Sequence, residues 1–327
     1  MEVTATAWVA TIGLIAGLLA LDWVVHGRRP HPIGFAEALR WSVFYVAVAV
    51  LFGITLGLVG GWGLGGQYFA GYVVEKSLSV DNLFVFVLIM SSFAVPPAQQ
   101  PKALTIGIVI ALAIRAVFIA VGAALLSAFS FMFLVFGAIL LVTATQLYRH
   151  RGEEPTVEDN RLVSAARRVL PISAGYEGNR IVTRIDGRRA FTPMLLVLIA
   201  IGSTDVLFAF DSIPAVFGVT QHAYIVFAAN AFALLGLRAL YFLVSGALDR
   251  LVYLSTGLAA ILSFIGVKLV LEFAHVHNHA VPEIPTGLSL VVIGAILAVT
   301  TFASLRTSRR GHRPAPAVGW PRDVGSR

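Results

Sequence analysis

The sequence contains no cysteine and few charged residues. Without cysteine the chain has no disulfide, no thiolate metal site and no cysteine nucleophile. Only 13% of its 327 residues are charged and 58% are hydrophobic, whereas a soluble domain carries about 25% charged residues. This shortage of charge excludes a water-soluble core-and-shell protein of this length and favours a membrane protein.

The N-terminus also lacks the basic stretch of a secretory signal, and nothing in it resembles a transit peptide. The first apolar run is instead followed by Arg28 and Arg29, so we expect it to be a retained membrane span. The sequence shows no phosphate-binding loop, no nucleophile–base arrangement and no set of histidine ligands within the apolar runs. We therefore do not expect an enzyme.

Long apolar runs make up most of the chain. A membrane helix needs about 20 apolar residues to cross about 30 Å of hydrocarbon. Nine runs meet this requirement, so the sequence predicts an all-α fold, a polytopic membrane helical bundle. The nine predicted spans lie near 6–25, 38–59, 68–92, 103–127, 130–148, 191–218, 222–246, 251–274 and 287–305.

Basic residues occur in every second gap between the spans. The first, third, fifth and seventh gaps and the C-terminal tail contain Lys or Arg, and the other gaps contain none. Because basic segments stay on the cytoplasmic side, we expect an external N-terminus and a cytoplasmic C-terminus in a bacterial inner membrane. The formal charge of +7 then reflects topology and contact with membrane lipid rather than nucleic-acid binding.

The spans divide the chain into five predicted segments. The fifth gap is long, polar and mixed in charge, which indicates a solvated cytoplasmic loop with room for a short surface helix. The segments are two N-terminal spans (1–60), a first three-helix unit (61–149), the loop (150–190), a second three-helix unit (191–275) and the last span with a basic tail (276–327).

The two three-helix units resemble each other. Glu75 is followed six residues later by Asp81, and Asp205 is followed six residues later by Asp211. Further matches between the units are Arg115-Ala116 with Arg238-Ala239 and Gly137 with Gly257. Because three is an odd number of spans, the second unit enters from the opposite side of the membrane. The pattern predicts an inverted-topology repeat, which recurs in secondary transporters with a site at the repeat interface.

The four acids of the repeat lie inside predicted spans. At the insertion cost of a central carboxylate they would together cost roughly 10–14 kcal/mol, so they must be paired, protonated or bound to a cation. The basic residues that can balance their charge are Lys76, Arg115, Arg238 and Lys268. Two interpretations stay open: a purely structural network of ion pairs, and a site where a cation competes for the acids.

The spacing of the acids restricts such a site. Residues six apart on an unbroken helix lie about 9 Å apart along the axis and point about 120° away from each other. Either the helices break, for which Pro214 offers a means, or the ion lies between the two units. We expect the second acid of each pair to be central, the first acid to form an outer layer, and the next residue to add a neutral oxygen. The predicted ligands are therefore Asp81 and Asp211, then Glu75 and Asp205, then Asn82 and Ser212.

All these ligands are oxygen donors, which suit Mg²⁺, Ca²⁺ and Mn²⁺ better than copper or zinc. We expect a transported divalent cation and no tightly bound cofactor. Two carboxylates held close together share a proton, so metal entry would expel that proton. This predicts exchange of metal for protons.

Two further features of the sequence each allow two interpretations. Three histidines stand before the last span, near Glu272 and Glu283 in the sequence: His275, His277 and His279. They form either a metal-capture site or an ordinary polar loop. Asn230, inside the seventh span, is either a polar contact between helices or a further ligand.

Two long motifs resemble those of the TerC/Alx family of integral membrane proteins. They are E-K-S-L-S-V-D-N-L-F-V-F at 75–86 and T-D-V-L-F-A-F-D-S-I-P-A-V-F at 204–217. Shorter matches occur at 236–242 and 264–269, and the resemblance extends from about residue 40 to 308, nearest to the Alx-type branch. By motif position, it implies a site at Glu75, Asp81, Asn82, Asp205 and Asp211.

The resemblance implies metal-ion homeostasis, because the family is associated with tellurium resistance, pH-responsive expression and, in Alx-like members, manganese export. Two positions depart from the family pattern: Gly202 stands where an acid is frequent, and Gln146 where a lysine is frequent. We expect an exporter of Mn²⁺ or a similar cation. The alternative is a non-transporting scaffold, assembly factor or tellurite-stress factor, and a homo-oligomer is left open.

Overall fold

The computed structural model describes residues 4–27, 33–149, 161–173, 175–177, 180–185, 188–244, 253–278, 281–282 and 284–311. Nearly all of this is helical. The helices are α1 (Ala5–Asp22, continued by a π-helical turn, Trp23–Gly27), α2 (Phe35–Gly60), α3 (Trp62–Ser92), α4 (Gln100–Ala128), α5 (Met132–Arg149), α6 (Arg161–Val169), α7 (Pro193–Phe217), α8 (Ala223–Leu235), α9 (Leu237–Val244), α10 (Leu254–His277) and α11 (Thr286–Gly311). A single described hairpin pairs β1 (Val182–Ile185) antiparallel with β2 (Arg188–Phe191).

Eight helical segments of the described chain are long and apolar enough to cross a membrane, with α8 and α9 together forming one of them. This confirms a polytopic helical membrane protein. The predicted third span is the exception, because three ionisable residues interrupt the apolar character of α3. This helix is 31 residues long, about 46 Å, and packs against α2, α7, α8, α10 and α11. A total of nine spans, with α3 as the ninth, stays a prediction.

Local signals explain where several helices begin and end. Thr4 caps α1 by accepting a hydrogen bond from the backbone N–H of Ala7. Pro193 opens α7, at the position where a missing N–H does no harm. Between α2 and α3, Gly61 adopts a φ of 95°, which a residue with a side chain rarely takes. Despite Pro214, α7 continues to Phe217, so neither α3 nor α7 breaks at its acids.

The two three-helix units pack in matching pairs. α3 lies against α8, α4 against α7, and α5 against α10. Gly71 of α3 faces Val216 of α7, and Glu75 lies one turn later near the level of Ser212, so α3 and α7 run antiparallel. Exchange of α3, α4 and α5 with α7, α8–α9 and α10 reproduces the same pairs. The inverted repeat stays a prediction. Such a repeat would require this pattern of helix pairs.

The helices α5 and α10 approach closely at two glycines. A methyl group on Gly137 would lie 2.9 Å from the carbonyl oxygen of Gly266 and 2.9 Å from the side chain of Val270. Backbone oxygen cannot move aside cheaply, so the contact requires glycine. The structure therefore places Gly137 against Gly266, whereas Gly257, its predicted equivalent, faces Thr300 of α11.

We predict that Gly137→Ala lowers the free energy of unfolding by about 1–3 kcal/mol, the usual effect of overpacking. The measurement is the thermal unfolding midpoint of the purified protein in detergent. Gly294→Ala is the matched control, because a methyl group there meets no described atom within 4 Å. Equal midpoints for Gly137→Ala and wild type would contradict the close approach.

Candidate functional site

Arg115 joins three helices in the middle of the bundle. Its side chain is 1% exposed, and it forms an ion pair with Glu75 of α3. On the other side its Nη2 donates to Oδ1 of Asp205 at 3.2 Å, and its Nε lies 3.4 Å from both carboxylate oxygens. Its Nη1 also donates to the Ser212 hydroxyl at 3.2 Å. We call these four residues the central ion-pair cluster.

Both acids of this cluster are removed from solvent, with Glu75 0% and Asp205 1% exposed. One guanidinium therefore serves two carboxylates, and Oε2 of Glu75 has no hydrogen-bond partner among the described residues. A buried carboxylate oxygen without a donor is costly. The cluster ties α3, α4 and α7 together, and it retains one unused acceptor.

Asp211 lies elsewhere, in a cleft of about 270 Å³ between α3, α5, α7 and α10. At roughly 30 Å³ per water, the cleft has room for an ion with part of its hydration shell. Four of its lining side chains carry oxygen atoms, and the rest are apolar. The polar lining residues are Asn82, Thr143, Gln146 and Asp211, and the apolar ones are Leu78, Leu147, Phe208, Leu258 and Leu262. We call this space the polar cleft.

The six-residue spacing explains why the acids separate. Because α7 is unbroken, Asp205 and Asp211 face different neighbours: Asp205 meets Arg115, and Asp211 lines the polar cleft. No ion pair to Asp211 is present within the described part of the chain. The side chain of Asp81 lies outside the described ones, so its pairing with Asp211 stays a prediction.

The structure divides the predicted neutral oxygens between the two places. Asn82 lines the polar cleft, whereas Ser212 accepts a hydrogen bond from Arg115. The two residues were expected to act alike because each follows an Asp. They do not, because Asn82 faces the cleft and Ser212 faces Arg115. Gln146, at the position where the family often has lysine, also lines the cleft.

Arg238 has a carboxylate partner outside the four predicted acids. It forms an ion pair with Asp22 of α1. The same carboxylate accepts hydrogen bonds from the hydroxyl of Tyr45 at 2.9 Å and from that of Thr105 at 3.3 Å. The sequence analysis missed Asp22 because it stands at the end of an apolar run. It is nevertheless only 5% exposed, and we call this group the Asp22 cluster.

The two lysines have separate positions. Lys76 follows Glu75 but turns toward α8, where its Nζ donates to the carbonyl oxygen of Ala233 at 3.0 Å. Lys268 lies on α10 and is 7% exposed. Asn230 of α8 is 1% exposed, and neither its amide oxygen nor its nitrogen has a hydrogen-bond partner in the described structure. Within the described structure, Asn230 therefore does not make the polar contact between helices that was the first of its two predicted roles.

The histidine segment is only partly described, since His279 and Glu283 lie outside the described residues. The ring nitrogens Nδ1 of His275 and His277 lie 2.6 Å from the carbonyl oxygen of Val281 and 2.9 Å from that of Phe273. Glu272 accepts a hydrogen bond from Gln221 at 3.1 Å. Nowhere in the described ranges do three or more His, Asp or Glu side chains converge as a metal site.

We predict that Arg115→Met lowers the free energy of unfolding by about 3–5 kcal/mol, because it leaves two buried acids without their guanidinium. Adding Glu75→Gln and Asp205→Asn to this variant should restore more than half of the loss. Thermal midpoints in detergent measure both effects. Arg40→Met, on the exposed surface of α2, is the control and should change little. An unchanged midpoint in Arg115→Met would contradict the cluster.

Comparison with known proteins gives the relatives of the chain. It is 48% identical over 324 residues to an uncharacterized membrane protein of Mycobacterium tuberculosis, and the alignment covers 94% of this chain and 81% of the relative. It is 44% identical over 271 residues to the thylakoid membrane protein TERC of Arabidopsis thaliana, covering 83% and 69%. It is 36% identical over 307 residues to a Salmonella typhi protein named as a candidate membrane-bound redox modulator, Alx, covering 91% and 93%.

These relatives are named as membrane proteins or modulators and not as enzymes. No solved structure matches the chain. Residues 61–312 match the model of the integral membrane protein TerC family, which is most of the chain and includes both acidic motifs. The protein is therefore a member of the TerC family of integral membrane proteins.

Proposed function

We propose that the protein is a secondary transporter that exports a divalent cation, with Mn²⁺ as the first candidate. The observation that carries the proposal is the polar cleft, in which a carboxylate and an amide from different helices line one space. Asp211 comes from α7 and Asn82 from α3. A carboxylate inside a membrane bundle is costly unless a partner balances its charge. The cation is the partner proposed here.

The chemistry of the cleft favours a hard cation. Its polar side chains offer carboxylate, amide and hydroxyl oxygens, and a cysteine-free chain offers no thiolate. Such ligands suit Mg²⁺, Ca²⁺ and Mn²⁺. These oxygens do not distinguish among the three ions, and the preference for Mn²⁺ comes from the family resemblance. The same absence of cysteine leaves the chain no thiol for redox exchange.

The central ion-pair cluster has a different part in this proposal. Arg115 holds Glu75 and Asp205, so these acids serve as a structural joint between the two units while Asp211 contacts the ion. The antiparallel course of α3 and α7 supports an inverted repeat, in which the two units move relative to each other and expose the cleft to alternate sides. With nine spans, the N-terminus is outside and the C-terminus is in the cytoplasm of a bacterial inner membrane.

We predict that Asp211→Asn and Asp81→Asn abolish Mn²⁺ tolerance in a host that depends on this protein for export. Cellular manganese should rise, because loss of a ligand weakens metal binding by at least the roughly 10–100-fold seen for supporting groups. Asp159→Asn is the matched control, a like change in the long loop. Wild-type tolerance in both site variants, at equal expression, would contradict transport and favour a scaffold or a tellurite-stress factor.

We also predict coupling to protons. Proteoliposomes loaded with Mn²⁺ should release it faster when the outside is made acidic, since each exported ion is exchanged for protons that enter. The release is followed with a metal-sensitive dye, with a proton ionophore as the control that removes the gradient. Flux that is indifferent to the imposed gradient would contradict the exchange while leaving transport itself in place.

A further inference from the structure

The loop before α7 carries a groove lined by arginine side chains. Its β1–β2 hairpin places Arg184 directly opposite Arg189, and both side chains are exposed. Together with Arg180 they line a space of about 620 Å³, whose other lining residues are Glu177, Val182 and Thr183. We call this space the arginine groove. Nothing in the proposed transport cycle uses it.

The pairing of these arginines works against the hairpin. Like charges directly opposite each other in an antiparallel pair are destabilising, and a two-stranded hairpin is only marginally stable by itself. The one acid in the groove is Glu177, whose carboxylate accepts a hydrogen bond from the Thr183 hydroxyl, and it offsets only one of the three positive charges. Three guanidinium groups therefore surround a space with a surplus of positive charge, which is the arrangement that a phosphate group satisfies.

The groove lies at the end of the membrane helices. Strand β2 ends two residues before α7 begins at Pro193, and the Thr192 hydroxyl between them donates to the carbonyl oxygen of Arg180 at 2.7 Å. The Tyr176 hydroxyl donates at 2.7 Å to the carbonyl oxygen of Phe93, just after the end of α3. The loop is thus fixed to two helix ends of the bundle. Because membrane helices end near the lipid headgroups, we expect the groove to lie close to them.

The neighbouring helix α6 also fits a membrane surface. Its Arg167 lies over the ring of Phe93, 5.6 Å from the centroid, which anchors α6 to the same end of the bundle. Two apolar side chains of this helix point outward, with Leu162 59% and Val169 79% exposed. A short helix with exposed apolar residues and several arginines is typical of the boundary between headgroups and acyl chains.

We propose that the arginine groove binds the phosphate of an anionic phospholipid headgroup in the adjacent leaflet. The opposed pair Arg184 and Arg189 takes the phosphate oxygens, and the bound lipid neutralises the repulsion between the two strands. A membrane lipid, rather than a soluble anion, fits because the groove is fixed to the ends of membrane helices and its lining includes the exposed apolar side chain of Val182. This inference is independent of the transported ion and of transport itself.

The test uses the purified full-length protein in a neutral detergent. Phosphatidylglycerol, phosphatidylcholine and inorganic phosphate are each titrated, and both the thermal midpoint and bound lipid by native mass spectrometry are recorded. Phosphatidylglycerol should bind and raise the midpoint, and the other two should not. Arg184→Gln with Arg189→Gln should weaken phosphatidylglycerol binding about thirtyfold, since each basic residue at an anionic membrane surface contributes roughly a factor of five.

Two controls make the result decisive. Arg40→Gln with Arg306→Gln removes the same charge from exposed helix positions outside the hairpin and should keep wild-type affinity. Without lipid, the hairpin variant should unfold at or above the wild-type temperature, because the opposed charges are gone, which also shows that it folds. Equal lipid affinity of the hairpin variant and wild type would overturn the proposal. Equal stabilisation of wild type by inorganic phosphate would overturn the assignment to lipid.

Discussion

Arg115 carries a charge that the interior of a membrane cannot solvate, and the arrangement of the central helices depends on how that charge is satisfied. Its carboxylate partners lie 40 residues before it, at Glu75, and 90 residues after it, at Asp205. An uncompensated charge at this depth costs several kcal/mol or more, so α4 has to lie between α3 and α7. Small residues permit the contact: Gly107 faces Ile201 and Gly122 faces Phe217 along the same side of α4.

The spacing of the acids then gives the two acids of α7 different surroundings. On a continuous helix, a residue six positions from a buried ion pair points to another neighbour, and Asp211 accordingly lines the polar cleft while Asp205 is held by Arg115. The unbroken α7 thus places one acid in the ion pairs of Arg115 and the other along the polar cleft.

Much of the fold could be predicted from the sequence, because crossing hydrocarbon demands long apolar runs and the arginine-rich gaps mark their ends. Arg115 could be predicted as a partner of buried acids, since the four acids required bases at the same depth. The Asp22–Arg238 pair could not, because Asp22 stands at the end of an apolar run, outside the predicted repeat that indicated the other four acids. The hairpin was not predicted, for a local reason: Asp186-Gly187, a frequent turn pair, stands in a loop whose mixed charge indicated a solvated segment with room for a short surface helix.

The two arginines of the predicted repeat show why the N-terminal helices belong to the same folding unit. Arg115 and Arg238 hold corresponding positions in the two units, yet Arg115 uses acids from both units and Arg238 uses Asp22 of α1. The family match begins only at residue 61. A chain reduced to that region would lack the carboxylate that α1 supplies to Arg238, which is 2% exposed in the full structure. Because removing one partner of a buried pair is strongly destabilising, α1 completes the second unit.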